Sequence, residues 1–400
     1  MSASYRIVSA LVHQPRLLRW VASLLVRWPG MCAYLCSVPS LSGMAGVSKR
    51  EASFSHAAYA PVLSAGPFLI GMEGSAAQEA DRELLMQVLP QPERFALGTL
   101  KALPALLEKV KTRQVFDLIE DYMMPLAWAG LREAFQPNAS ALEAQGPFLK
   151  ELRYLGAQLI IGKVAPVSVQ QRALRSAARI RSVILATLPQ ISQAWAAVAP
   201  RGGCDAVERN AIGLLWVGHP ATVQAGALIM RELLERPNVH RELIAIAKER
   251  NSDAASCAEF RDLLRNHILE LLRFRPPFPF LQRDVPRDAL FCPVAGATAA
   301  ASAGSTMLVW SIGAMFDPAA QQEPPADYVP GRHFYKRQDR YLMFGLGDRV
   351  CIATEQVIEM LITALAGLLA LGDMNWADPW WRRLSYDGPV ITMMRLRRAD

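Results

Sequence analysis

The sequence contains little charge and few cysteines for its length. Of its 400 residues, 20% are charged and 6 are cysteine, whereas 52% are hydrophobic. This composition excludes an intrinsically disordered chain and predicts a large buried core. The cysteines are too scattered for a disulfide framework, and Cys32 and Cys36 have no neighbouring cysteine or histidine that would complete a zinc site. A reducing compartment, the cytoplasm, is the simplest interpretation.

No segment near the N-terminus is hydrophobic for long enough to span a membrane. The most apolar run there, Leu17 to Trp28, is interrupted by Arg19 and Arg27, whereas a spanning helix needs about 20 apolar residues. The run also lacks the small residues of a signal-peptide cleavage site. It therefore predicts an amphipathic surface helix and no transmembrane span, with loose membrane contact as the alternative.

Motifs for nucleic-acid binding are also missing, although the net charge of +7 would permit such a partner. Neither a recognition-helix motif nor an alternation of aromatic and basic residues is present, so we predict no nucleic-acid partner. A basic face that binds an acidic protein fits the charge better.

Internal repeats and low-complexity linkers are absent, so we predict one continuous domain over residues 1–400, with an N-terminal helical segment in residues 1–50. Apolar residues recur at helical spacing through most of the chain, and residues 274–310 favour short strands and turns. The predicted fold class is mainly α with small β-sheets. The helical patterns cover residues 76–89, 102–134, 141–162, 168–198, 206–235, 238–250 and 256–273.

The pattern at 206–235 predicts an unusually long and buried helix. Asp205 and Glu208 have the spacing of a capping box, and the helix would extend about 45 Å at 1.5 Å per residue. Its middle, LLWVGHPATVQAGALIM, is apolar on nearly every side, which is typical of a helix that crosses a core. Pro220 lacks an amide hydrogen and leaves the Trp216 carbonyl without its helical partner, which predicts a kink. A kink at the centre of a core helix indicates a ligand pocket.

The segment FGLGDRVC, residues 344–351, places a cysteine directly before a long apolar helix. A cysteine at a helix N-terminus, beside Arg349 and open backbone amides, is expected to be stabilised as a thiolate. Gly345 and Gly347 permit a sharp turn and the close approach of a flat partner. Such a thiolate serves either as a nucleophile or as an iron ligand. A nucleophile needs a histidine base, and His333 is the only histidine within about twenty residues, although a spatial neighbour would serve equally.

The cysteine segment resembles the signature of the cytochrome P-450 superfamily of haem-thiolate proteins, Phe-x-x-Gly-x-Arg-x-Cys-x-Gly/Ala. The residues that match it in order are Phe344, Gly347, Arg349, Cys351 and Ala353. The resemblance, to the soluble bacterial type, implies a cytochrome P-450 fold in which haem b (iron protoporphyrin IX) lies between the long distal helix and the proximal cysteine-bearing helix. It further implies that Cys351 is the axial ligand of the haem iron and that Arg349 holds a haem propionate.

Two other segments match the family in the expected order. Glu270 and Arg273 fit its Glu-x-x-Arg helix, where the i, i+3 spacing places both side chains on one face. Arg332, in YVPGR, resembles the arginine that completes this structural ion-pair network.

The resemblance also implies two further propionate contacts. Arg283, in PFLQRDV, stands where the family often places a second propionate arginine. Arg82, in QEADRELL, matches a third contact on an early helix, but Gln78 replaces the aromatic residue or histidine that usually accompanies it.

The long helix departs from the family pattern. The family carries Ala/Gly-Gly-x-Asp/Glu-Thr-Thr/Ser over the haem, whereas this chain reads VGHPAT at residues 217–222. Gly218 and Thr222 remain, but Pro220 and the following alanine replace the acid and the alcohol, and neither can deliver protons to dioxygen. Thr222 or His219, acting through ordered water, are the catalytic candidates that remain, although His219 is more simply a structural histidine. Alternatively, the substrate supplies its own hydroxyl group.

Taken with the resemblance, these residues predict a monooxygenase that acts on a lipophilic small molecule and receives electrons from a ferredoxin-type partner. The basic residues predicted to bind that partner are Arg332, Lys336, Arg337 and Arg340. The residues predicted to line the substrate pocket are Trp216, Val217, Phe278, Phe280 and Leu281.

The altered distal motif leaves two other functions open. A peroxygenase or hydroperoxide-rearranging enzyme would start from an oxidised O–O bond and would need no redox partner. The other is a haem-binding protein without turnover, which would need neither a peroxide substrate nor a redox partner.

Overall fold

The computed structural model describes residues 14–27, 35–38, 44, 68–72, 76–135, 142, 148–161, 166–196, 204–249, 257–293, 295–296, 298–335 and 341–399. Cys32 and the predicted partner-binding residues Lys336, Arg337 and Arg340 lie outside these ranges, as does most of the predicted N-terminal segment.

Helices make up most of the described chain, and the strands are short. The helices are α1 (Pro15–Arg27), α2 (Ala76–Val88), α3 (Pro92–Lys111), α4 (Met124–Leu131), α5 (Phe148–Ile161), α6 (Val167–Ala196), α7 (Cys204–Leu234), α8 (Pro237–Glu249), α9 (Ala258–Phe274), α10 (Ser311–Ala314) and α11 (Thr354–Ala370). The strands are β1 (Leu35–Val38), β2 (Val115–Asp117), β3 (Leu281–Asp284), β4 (Ala289–Phe291), β5 (Ala299–Ala301), β6 (Thr306–Val309), β7 (Met374–Trp376), β8 (Leu384–Asp387) and β9 (Val390–Arg398). The predicted fold class, mainly α with small β-sheets, is confirmed.

The strands of the described chain form sheets of three, four and two strands. In the first, β6 lies at the centre, parallel to β1 and antiparallel to β3. In the second, β9 pairs antiparallel with β2, β7 and β8. β4 and β5 pair only with each other. The short strands predicted within residues 274–310 are therefore present as β3 to β6.

The single long helix predicted at 102–134 is wrong. α3 ends at Lys111, β2 follows, and a π-helical turn at Leu118–Met123 leads into α4. The cause is tertiary pairing, because Phe116 of β2 lies opposite Leu396 of β9 and both side chains are buried. A strand of three residues is too short for hydrophobic periodicity to reveal.

The N-terminal helix α1 has the amphipathic character that the sequence predicts. Leu18 is buried, whereas Leu17 and Trp20 are exposed. Arg19, one of the residues that interrupt the apolar run, packs its guanidinium over the Phe316 ring at 3.6 Å. Burial, together with the positive charge of Arg273, lowers the pKa of Arg19 to about 10.

Helix α7 is the central element of the fold. Its 31 residues extend about 46 Å and contact α4, α5, α6, α9 and α11. Residues 206–234 are long and apolar enough to cross a membrane, but 72% of their most apolar window is buried inside the protein. That burial is typical of a core helix.

The predicted capping box at the start of α7 is wrong. The helix begins at Cys204, so Asp205 lies within the first turn and not before it. The Glu208 carboxylate instead accepts a hydrogen bond from Arg181 of α6, which ties the two longest helices together.

A buried ion-pair network joins α9 to the segment that precedes the cysteine loop, residues 344–351. The side chains of Glu270, Arg273 and Arg332 are all 0% exposed. Glu270 Oε1 accepts from Arg273 Nη2 at 2.8 Å and from Arg332 Nη2 at 3.1 Å, and the Val329 amide donates to the same oxygen. Both arginines also donate to the Asp327 carbonyl. Because Arg332 is buried here, it cannot belong to the basic partner-binding face, and that part of the prediction is wrong.

Candidate functional site

The loop that carries Cys351 is shaped by two glycines with positive φ. Gly345 has φ of +90° and Gly347 has φ of +61°, a region that residues with a Cβ rarely occupy. The Cys351 amide donates to the Phe344 carbonyl at 2.7 Å, so the loop closes on itself just before α11. A Cβ on Gly345 would lie 2.4 Å from the Arg349 carbonyl oxygen, whereas one on Gly347 would meet nothing within 4 Å.

These two glycines provide a matched pair of substitutions. We expect Gly345→Ala to lower the free energy of unfolding by about 3 kcal/mol and Gly347→Ala by about 1 kcal/mol, because only the first adds a backbone clash to the strain of positive φ. Denaturant unfolding of the two variants and the parent, under one set of conditions, measures both values. Equal losses in the two variants would show that the loop relaxes around the new Cβ.

A cavity of about 230 Å³ is lined by both α7 and the cysteine loop. Segment 68–72, α2, β3 and α11 also contribute to its wall. Most of the lining is apolar, including Phe68, Leu131, Leu214, Val217, Phe278 and Met360. Cys351 is one of the lining residues, and its side chain is exposed. A largely apolar, concave site that contains a few polar groups is typical of a cofactor or ligand pocket.

The Cys351 side chain is exposed to a cavity whose wall is largely apolar. Burial raises the pKa of the Cys351 thiol, and the Ala353 amide, the Thr354 side chain and the positive charge of Arg82 only partly oppose this effect. The chain alone therefore favours the neutral thiol, contrary to the stabilised thiolate that the sequence predicts. A metal ion deprotonates a thiol that coordinates it, so the site fits a metal ligand better than a free nucleophile.

The geometry gives the nucleophile interpretation no base. Among the lining residues, all of which belong to the described chain, there is no histidine. The His333 side chain is 73% exposed and hydrogen-bonded to Glu323 at the surface.

Three arginines line the cavity, and none of the described lining residues is acidic. Arg82 Nη1 donates to the Val350 carbonyl at 3.2 Å, directly beside the cysteine. Arg283 Nη1 donates to the Gln282 carbonyl at 2.7 Å, and Arg283 is 3% exposed. The structure thus brings Arg82 and Arg283 together with Cys351 at one cavity.

The third cavity-lining arginine, Arg349, connects the cysteine loop to another part of the wall. Its Nη1 donates to the Met72 carbonyl at 2.9 Å and to the Leu69 carbonyl at 3.3 Å. The side chain therefore holds segment 68–72 against the loop. Phe68, at the start of that segment, packs directly on α7, because a Cβ on Gly213 would lie 2.1 Å from the Phe68 ring.

The chemistry of this donor set fits haem b. Guanidinium groups in an apolar enclosure require anionic partners, and they bind carboxylates well. A flat apolar ring that carries two carboxylates and a metal ion would complement the wall, the arginines and the sulfur, respectively. Cys351 would hold the iron, and Arg82, Arg283 and Arg349 would hold the propionates.

The distal turn of α7 presents small apolar surfaces to the cavity. Val217, Gly218 and Ala221 line it, whereas His219 and Thr222 do not. His219 Nε2 is 3.0 Å from the Met124 carbonyl, and burial lowers the pKa of His219 to about 4, so the ring is neutral. The Thr222 hydroxyl donates to the Gly218 carbonyl at 2.8 Å within its own helix. Neither predicted catalytic side chain therefore contacts the cavity directly.

Of the predicted pocket residues, Val217, Phe278 and Leu281 line the cavity. Trp216 and Phe280 do not line it, so those two predictions are wrong. In both cases the side chain packs elsewhere in the core. Trp216 is rotated by about 100° from Val217 on α7 and is fully buried in the core. Phe280 precedes β3 and packs its ring 5.5 Å from that of Trp310.

Several lining residues carried no signal in the sequence. Phe68, Leu131 and Gln356 line the cavity, yet none of them lies in a motif that distinguishes it from ordinary core or surface residues. Phe344 and Gly347, predicted from the cysteine signature, lie in the cysteine loop, and Phe344 lines the cavity.

Two of the comparisons with known proteins found similar proteins. A family model described as Cytochrome P450 matches residues 205–355, which include α7, the buried ion-pair network and the cysteine loop. No curated protein sequence matches the chain.

Solved structures show the same fold over nearly the whole chain. CalO2 has a TM-score of 0.73 at 15% identity, covering 98% of this chain and 97% of that chain. P450BioI, solved with acyl carrier protein ligated to hexadec-9Z-enoic acid, has a TM-score of 0.72 at 15% identity, covering 98% and 99%. CYP109E1 from Bacillus megaterium, solved with testosterone, has a TM-score of 0.68 at 16% identity, covering 94% and 97%.

The family match spans α7 and the cysteine loop, which line the cavity, as well as the ion-pair network, and the fold match extends over nearly the whole chain. The predicted haem b is the cofactor of that family, and its members are haem-thiolate oxidoreductases. Residues 205–355 are thus similar to the Cytochrome P450 family model, and nearly the whole chain has the fold of P450BioI and CalO2.

Proposed function

We propose that this chain is a monooxygenase that inserts oxygen into a lipophilic small molecule. The observation that supports this most is the exposure of the Cys351 side chain to a largely apolar cavity under α7. When bound, haem would supply the oxygen-activating chemistry, and a thiolate ligand favours cleavage of the O–O bond. Phe68, Val217 and Phe278 exclude water and bind the substrate through apolar contact.

The substrate class is supported by two structural relatives. P450BioI was solved with a fatty acid on acyl carrier protein, and CYP109E1 with testosterone. Both ligands are largely apolar, as is the cavity of this chain. A panel of fatty acids, steroids and terpenoids is therefore the first to test, by substrate-induced shifts in the haem spectrum.

Electrons for this reaction come from a small acidic redox protein of the ferredoxin type. The net charge of +7 favours association with an acidic partner.

A peroxide-dependent reaction is the second candidate, and the distal wall favours it. The residues of that turn facing the cavity are Val217, Gly218 and Ala221, which carry no acidic or hydroxyl group that could transfer a proton. A peroxide or fatty-acid hydroperoxide needs less proton delivery and no electron donor. The same cavity would then bind the hydroperoxide through its apolar chain.

One experiment separates these reactions. Purified haem-loaded protein is given each spectrally active compound with NADPH, ferredoxin and ferredoxin reductase, and in parallel with hydrogen peroxide or a fatty-acid hydroperoxide alone. Product that depends on the electron-transfer proteins supports the monooxygenase. Product formed rapidly with peroxide alone supports the second candidate, and no product in either arm contradicts both and leaves a haem-binding protein without turnover.

The Thr222→Val variant tests the distal wall in the same assay. Because the Thr222 hydroxyl is hydrogen-bonded within α7 and does not reach the cavity, we expect turnover to fall by less than about threefold in whichever arm is active. A loss of a hundredfold or more, confined to the ferredoxin arm, would instead assign proton delivery to Thr222.

A further inference from the structure

Asp81 of α2 forms a bidentate ion pair with Arg209 of α7. Arg209 Nε donates to Asp81 Oδ2 at 2.8 Å, and Arg209 Nη2 donates to Oδ1 at 2.7 Å. The Asp81 side chain is 4% exposed and that of Arg209 is 19% exposed. Two parallel hydrogen bonds between planar groups define an orientation as well as a distance. The pair therefore fixes how α2 is rotated against the long helix.

The residue that follows Asp81 faces the haem cavity. Arg82 and Gln78 are four residues apart, so they lie on the same face of α2, and both line the cavity. Arg82 Nη1 donates to the Val350 carbonyl, and the Arg82 charge is one of the influences that lower the pKa of the neighbouring Cys351 thiol. One face of α2 thus contacts the cysteine loop, while the adjacent face is attached to α7.

The two faces cannot move independently. Consecutive residues are about 100° apart around a helix, and a side chain extends about 5 to 6 Å from the helix axis. A rotation of α2 by about 20° would move the Arg82 guanidinium by about 2 Å. That displacement is enough to break its hydrogen bond to the Val350 carbonyl.

We propose that Asp81 and Arg209 are positioning residues of the haem site, which hold α2 in the rotation that keeps Arg82 on the cysteine loop and on the cofactor. The inference rests on haem binding by this fold and not on which reaction the haem performs. Neither residue lines the cavity, so the pair acts only through the helix that it orients.

An adjacent ion pair provides a matched control. Glu208 precedes Arg209 on α7, is 7% exposed, and pairs with Arg181 of α6. Like Asp81, Glu208 is a largely buried carboxylate that pairs with an arginine, although Arg181 is 38% exposed. The helix that carries Arg181, α6, contributes no residue to the cavity. A purely structural role for Asp81 predicts that the two pairs behave alike.

The test compares Asp81→Asn and Glu208→Gln with the parent, all loaded with haem. The readouts are the rate of haem transfer to excess apomyoglobin, the reduced carbon-monoxide spectrum and the thermal unfolding midpoint. We expect Asp81→Asn to lose haem at least tenfold faster and to show an increased fraction of the shorter-wavelength carbon-monoxide band. Glu208→Gln should change the rate of haem loss by less than twofold, even if its unfolding midpoint falls as far as that of Asp81→Asn.

A second variant keeps the proposal testable if Asp81→Asn does not fold. Arg209→Lys retains the positive charge but cannot make the two parallel hydrogen bonds, and we expect haem loss to be about threefold to fivefold faster. Equal rates of haem loss in Arg209→Lys and the parent, or in Asp81→Asn and Glu208→Gln, overturn the proposal. Because no substrate or electron donor is present, these rates do not depend on whether the proposed monooxygenase reaction is correct.

Discussion

The Cys351→Ser variant is expected to lose the long-wavelength carbon-monoxide band of a haem-thiolate protein completely, and its turnover should fall by at least about a thousandfold. A serine hydroxyl is far less acidic than a thiol and cannot supply the electron density that favours O–O cleavage. The fold should survive, because the side chain faces a cavity and its loop is closed by the Cys351 amide. The unfolding free energy of the apoprotein should change by less than about 1 kcal/mol.

Cys292→Ser is the control for this experiment. Cys292 is also an exposed cysteine, but it does not line the cavity, so we expect its carbon-monoxide spectrum and turnover to match those of the parent. A long-wavelength band that persists in Cys351→Ser would mean that another sulfur binds the iron and would refute the assignment of the site.

The Glu270→Gln variant is expected to be the most destabilised single substitution outside the cavity, by about 4 kcal/mol. Glu270 is the only carboxylate that contacts both Arg273 and Arg332 among the ion pairs of the described chain, and all three side chains are fully buried. Removing its charge takes the carboxylate from Arg273 and leaves Arg332 with the more distant Glu323, at 4.0 Å. Breaking a buried pair in this way costs about 3 to 5 kcal/mol. Urea unfolding of the apoprotein measures the loss.

Glu355→Gln is the control, because it removes an exposed carboxylate instead of a buried one. Its side chain is 54% exposed and pairs with Arg265, so its loss should cost less than about 1 kcal/mol. Where Glu270→Gln yields no folded protein, Glu270→Asp, which keeps the charge but shortens the reach, should lose an intermediate amount. A cost for Glu270→Gln as small as that for Glu355→Gln would contradict this expectation and show that water or a shift of the segment solvates the two arginines.

The sequence predicted those parts of the protein that local rules determine. Long apolar periodicity identified α7 and α11, because a helix buried on several sides repeats its pattern over many turns. The glycines before Cys351 indicated a tight turn, and the structure gives both of them positive φ. The spacing of Glu270 and Arg273 indicated a pair on one helix face, which the coordinates place in direct contact.

Features that depend on partners distant in the chain could not be predicted. β2 is a strand because β9 pairs with it, and a sequence pattern of three residues is too short to reveal that pairing. Whether Trp216 or Val217 faces the cavity depends on the rotation of α7 within the core, which an all-round apolar sequence does not encode. Desolvation raises the pKa of the Cys351 thiol, and this effect of the folded surroundings is not visible in the position of a cysteine before a helix.

Two walls of the cavity, α7 and segment 68–72, differ in the contacts that must break before each can open. Amide hydrogens of α7 around Gly218 should exchange with solvent only when the whole core unfolds, since this helix contacts most of the helical body. Segment 68–72 is held by the Arg349 guanidinium on two carbonyls and by one ring on Gly213. Its amides should exchange through brief local openings, so this wall of the cavity should open well before α7 does.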